Sequence, residues 1–166
     1  MRHRQTDRRI EGRRRTALTK LKALNRERVS CVLESIFHYP MTIVEAPIGY
    51  GKTTAVREFL SSKNSPALWL SFQSSEDTEA FFWEMFSKEI SRLDEMAGDK
   101  LKSLGFPSDT PQTATILSIL NDLDYEGNTA FVIDDFHLVK RGRVGALLKQ
   151  IVKEAPEDLH FVVVTR

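Results

Sequence analysis

One stretch constrains this chain more than any other: Ala46-Pro47-Ile48-Gly49-Tyr50-Gly51-Lys52-Thr53. It matches the pattern G-x-x-x-x-G-K-[ST], with Ala standing at the first Gly. Each position has a physical reason. Gly49 and Gly51 let the backbone curl until several N–H groups point into one concavity, a nest for an anion. A helix starting near Lys52 sets its positive N-terminal end beneath the same spot. Lys52 reaches β- and γ-phosphates as a point charge, and the Thr53 hydroxyl is a ligand for Mg²⁺. The first position need only be small, so Ala46 takes little from the pattern. The Tyr50 side chain is expected to turn away from the nest.

The flanks of this loop set the fold class. Met41-Thr42-Ile43-Val44-Glu45 reads as a strand, and Lys52 to about Ser61 as a helix. Further strands are expected at Ala67–Ser71, Ala130–Ile133 and Leu159–Val164, and helices at Thr78–Leu93, Gln112–Leu123 and Val144–Glu154. Alternating strands and helices imply βαβ units. The continuous apolar run Phe161-Val162-Val163-Val164 fits a strand buried on both faces. The fold class is therefore α/β: a P-loop NTPase whose parallel sheet has helices on both faces and stops after the fourth core strand. Two segments are read by composition and periodicity. Gly98 to Pro111, with Gly, Pro, Ser and Asp and little periodicity, reads as a loop or surface insertion. Asn25 to Phe37 reads as an amphipathic helix, with Cys31 close to its apolar stripe as a small core residue.

A phosphate loop needs an acid at the carboxyl end of a neighbouring strand. Phe131-Val132-Ile133-Asp134-Asp135 supplies two. Asp134 is assigned to Mg²⁺, held through water, and Asp135 to orienting and polarising the attacking water as a general base. Arg166, with Thr165 just past the last strand, falls at the same end of the sheet and is placed to read γ-phosphate charge. His137 comes after the acids as a helix-start or loop residue, and no metal-ligand spacing surrounds it. Trp69 and Trp83 read as core or interface residues.

Charge is uneven along the 166 residues. The first 28 carry eleven basic side chains against Asp7, Glu11 and Glu27, although the whole chain is only +1. Residues 1–24 read as a basic, solvated and largely disordered arm, leaving 25–166 as the nucleotide-binding domain. No apolar run approaches the ~18 residues of a membrane span, so no membrane partner is expected. A single cysteine and no secretory h-region point to the cytoplasm.

Four segments together resemble one family. Val44 to Thr54 is similar to the "SAPAGYGKTT" loop of the MalT-like regulators, the large ATP-binding class of LuxR-type transcriptional activators. Ala67 to Phe72, with Asp77 and Phe81-Phe82, is similar to their "aWlsLd…D…rF" segment, and Val132 to Val139 to "lviDDfHli". His160 to Arg166 is similar to the strand that ends in "TR". The resemblance implies a STAND-type (NB-ARC/AAA-like) signal-transduction ATPase. ATP or ADP would sit with Mg²⁺ on Ala46, Pro47, Gly49, Tyr50, Gly51, Lys52, Thr53 and Thr54, with Thr53 and Asp134 on the metal and Lys52, Asp135 and Arg166 catalytic. It further implies self-association in the ATP state, slow hydrolysis that resets the switch, and DNA contact only through domains absent from this chain. Glu45 departs from the small residue the family places there. Two other readings stay open: a free-standing P-loop ATPase or small-molecule kinase, whose arginine-rich lid would have to use Arg141 and Arg143, and a scaffold that has lost hydrolysis and uses its basic arm on nucleic acid.

Overall fold

The computed structural model describes residues 28–73, 79–139 and 142–166. The basic arm over 1–24, Asp77 and Arg141 lie outside the described residues. By internal contacts the chain divides after Glu34, into residues 1–34 and 35–166.

In the first unit, residues 28–33 form helix α1. Cys31 is exposed, not in the core as the stripe suggested. Val29 and Val32 are exposed as well, and Leu33 alone of that turn is buried. The backbone tightens into a 3-10 segment over Glu34–His38. That changes the repeat from 3.6 to 3.0 residues per turn, so a stripe read at one helical period cannot run through both.

The second unit carries β1 (Met41–Glu45), α2 (Lys52–Ser62), β2 (Ala67–Ser71), α3 (Glu79–Ile90), α4 (Glu95–Leu104), α5 (Thr110–Asn121), β3 (Thr129–Asp134), a 3-10 turn (Phe136–Leu138), α6 (Arg143–Glu154) and β4 (Leu159–Thr165). The four strands form one sheet in the order β1-β4-β3-β2, and all three pairings are parallel. Every residue of β3 is buried, and every residue of β4 except Thr165. Side chains alternate between the two faces of a strand, so helices cover both faces there. This α/β arrangement is the expected one and fits a P-loop NTPase-like sheet.

The core runs as an aromatic column from helix to sheet. Phe86 of α3 lies 5.0 Å from Phe131 of β3, which lies 5.6 Å from Phe161 of β4. The Gly98–Pro111 segment is not a continuous loop: α4 occupies its first half, α5 begins at Thr110, and only residues 105–109 separate the two helices. Three contacts explain why. The Asp94 carboxylate accepts from the Ala97 N–H at 2.8 Å and caps α4. Ala97, Gly98 and Leu101 are buried. The Trp83 indole N–H donates to the Leu101 carbonyl at 2.8 Å, tying α4 to α3.

The two sheet edges differ. At β2 the Trp69 N–H is taken by the Glu89 carboxylate of α3 at 2.9 Å. β1 is the opposite edge, with Met41 and Ile43 exposed.

Candidate functional site

Parallel strands all end on the same side of the sheet, so the segments leaving β1, β3 and β4 converge there. β1 runs directly into the loop Ala46–Gly51, and α2 starts at Lys52. Gly49 has φ 82° and Gly51 φ 74°, both left-handed. A Cβ built at either position meets nothing within 4 Å. The backbone angle, not crowding, is what calls for glycine at these two places. α4 and α5 open under the side-chain caps of Asp94 and Asp109. α2 opens under Gly51 with no side-chain cap and no acid in its first turn. Its leading N–H groups are thus left for an anionic acceptor. Tyr50 is 76% exposed, turned outward as its place in the loop suggested.

Lys52 is folded over the start of the loop. Its ammonium donates to the Ala46 carbonyl at 2.6 Å and to Pro47 at 3.2 Å. Thr53 points inward and donates to Asp134 Oδ1 at 3.2 Å across 81 residues of sequence. That contact joins the loop to the acidic strand end, the pairing that the sequence pattern required. Asp134 is buried, and the same oxygen accepts the Asp135 N–H at 3.0 Å. β4 lies between β1 and β3, so the acid comes from the next strand but one, not from an adjacent strand as expected. α2, reaching from β1, carries Thr53 over that gap.

Asp135 is one of two non-glycine residues with positive φ among those described, at 54°. Its side chain is half exposed, and Oδ1 lies 3.7 Å from His137 Nδ1. The His137 ring is mostly buried, and neither of its nitrogens has a hydrogen-bond partner among the described residues. Sequence reasoning missed this placement; an imidazole two residues past an acid on an apolar turn was the only signal available. Arg166 is exposed just beyond the β1–β4 pair Glu45–Thr165, so the register sets it alongside the first loop residue. No hydrogen bond or ion pair among the described residues joins it to the other candidates. Arg143 serves elsewhere. It bonds Glu79 at 2.9 Å and the Pro107 carbonyl at 2.7 Å, and lies over the Phe106 ring. It braces α6 against α3 and the α4–α5 connection.

The donor set suits a hard cation. Mg²⁺ takes one or two protein oxygens and completes its shell with water and phosphate, and Thr53 with Asp134 offers a hydroxyl beside a carboxylate. No group of three or more His, Cys, Asp or Glu able to hold a metal stands among the described residues. A depression of about 790 Å³ between α4 and α5, lined by Met96, Lys100, Ile119 and others, has no comparable convergence of anion-binding groups.

No protein-family model matches the chain. It is 26% identical over 149 residues to the HTH-type transcriptional regulator MalT of Vibrio cholerae. The corresponding figures are 24% over 149 residues for Vibrio parahaemolyticus MalT and 25% over 146 residues for Klebsiella pneumoniae MalT. These alignments take in 85–87% of this chain but 16% of each relative, so the chain spans about a sixth of their length. The similarity supports a relationship to one region of these regulators.

Proposed function

We propose that this chain binds Mg·ATP and Mg·ADP as the STAND-type ATPase module of a cytoplasmic transcriptional regulator, switching between the two nucleotides by slow hydrolysis. One observation carries the reading: a left-handed glycine loop opens an uncapped helix whose Thr53 touches the buried Asp134 of another strand. The loop N–H groups and Lys52 would hold the β- and γ-phosphates. A phosphate is a charged acceptor, and it would draw the Lys52 ammonium from two neutral carbonyls. Thr53 and Asp134 would hold Mg²⁺, which neutralises charge on the β- and γ-oxygens when bound. Asp135 would take a proton from the attacking water, and Arg166 would steady charge building on the γ-phosphate. The similarity to MalT regulators supports the regulatory role; self-association in the ATP state and DNA contact through other domains are part of the same proposal. Arg143 is committed to internal contacts, which weighs against the arginine lid of a small-molecule kinase.

Thermal unfolding tests this. A ligand at 100 times its Kd stabilises by about 2.7 kcal/mol, which is roughly 5–10 °C in Tm for a domain of this size. Both ADP and ATP should give that shift with Mg²⁺, and Lys52→Ala should remove it. Thr53→Ala should keep a smaller shift that no longer responds to Mg²⁺. A folded chain whose Tm ignores both nucleotides contradicts the proposal.

A further inference from the structure

Two independent features meet at the Asp135 carboxylate. The first is strain. Asp135 sits at φ 54°, ψ 36°, a region that costs non-glycine residues energy and clusters at functional sites. It is held there from both sides: its N–H donates to Asp134 Oδ1 at 3.0 Å, and its carbonyl accepts the Leu138 N–H at 2.9 Å. The backbone thus aims this side chain, which is half exposed at the carboxyl end of β3. The second feature is an unanswered donor. His137, on the same 3-10 turn, is mostly buried, with both ring nitrogens unpartnered among the described residues. Buried polar groups are rarely left so. Among the described residues the acid beside it is Asp135, at 3.7 Å from Nδ1, just outside the roughly 2.7–3.2 Å of a formed bond.

We propose that His137 is a positioning residue for Asp135, a role that rests on reading the site as a nucleotide site. With Mg·ATP bound, the Nδ1–H closes on Oδ1 and fixes the plane of the carboxylate, leaving Oδ2 to face the attacking water. Hydrolysis then balances without another reactant. The water oxygen bonds to γ-phosphorus, and its proton passes to Asp135 Oδ2. The bond from γ-phosphorus to the β–γ bridging oxygen breaks, its electron pair leaving on ADP, and Asp135 returns the proton to solvent. In this arrangement His137 would touch neither nucleotide nor water, so its removal should act on turnover and not on binding.

The test uses the full chain with His137→Phe, which keeps a planar ring without a donor, and His137→Asn, which keeps a donor near the Nδ1 position. Steady-state phosphate release should show His137→Phe lowering kcat on the order of 10–100-fold, as removing such orienting partners does, with KM unchanged. His137→Asn should recover most of the loss, and in an Asp135→Asn background His137→Phe should add nothing. Imidazole ¹H–¹⁵N spectra give a readout that needs no turnover. A non-hydrolysable ATP analogue with Mg²⁺ should move the His137 Nδ1–H resonance downfield in wild type and not in Asp135→Asn. Full kcat in His137→Phe, equal losses in both His137 variants, or a resonance unmoved by bound nucleotide would each overturn the role while leaving nucleotide binding intact. Failure of the folded wild type to bind Mg·nucleotide would instead remove the site reading, and this role with it.

Discussion

Tyr125 isolates a single-residue effect far from the loop. Its hydroxyl is buried and donates to the Leu120 carbonyl at 2.8 Å. Burial disfavours the phenolate and pushes the pKa up from its usual value near 10. A group whose folded pKa is raised holds its proton in the folded state after the unfolded chain has lost it. Its contribution is complete below about pH 10 and is lost as pH rises further. Urea midpoints should therefore fall above pH 10, and Tyr125→Phe should flatten that part of the curve while lowering stability at neutral pH by about 0.5–1.5 kcal/mol. An alkaline limb identical in both proteins would contradict the burial. The left-handed φ of Gly49 and Gly51 and the start of α2 at Lys52 were legible one by one because each is fixed by local spacing. The His137 environment was not, since burial of its ring depends on what packs over the turn.

Among the elements, β1 and β2 matched their sequence reading residue for residue, and α2 to within one residue at its end. Short β-branched or apolar runs bounded by Gly, Pro and Ser leave little choice of where a strand begins. α4 was hidden because most of its evidence is tertiary, the Asp94 cap being the local exception. Gly98 looks like a breaker in sequence, but a Cβ there would fall 2.7 Å from the Ser91 Cα and 1.8 Å from its Oγ. The missing side chain is what lets α4 approach the end of α3. Gly98→Ala gains about 1 kcal/mol of helix propensity, and overpacking at such a contact costs about 1–3 kcal/mol or more. The backbone Cα as clash partner puts the cost at the upper end, so chemical denaturation should show a net loss on the order of 1–2 kcal/mol. An unchanged or higher midpoint would mean that the helices do not pack this closely.

For the molecule as a whole, parallel strand direction does the assembling: it brings the ends of β1, β3 and β4 to one side, where the loop, Asp134 and Arg166 lie. The alternation of strands and helices made the α/β class readable, whereas strand order cannot be derived from periodicity. That order leaves the loop-bearing strand at an edge, with Met41 and Ile43 exposed, while Glu89 closes the other edge at Trp69. An edge unpaired among the described residues is open to further pairing. The fold therefore accounts for a site assembled within the second unit, and the central claim is that this site takes Mg·nucleotide. Calorimetric titration of the chain with ADP and ATP, with and without Mg²⁺ and beside Lys52→Ala, tests it most directly. Micromolar or tighter binding that strengthens with Mg²⁺ and disappears in Lys52→Ala is the predicted result. Binding that survives Lys52→Ala unchanged, or none by the folded wild type, would contradict it.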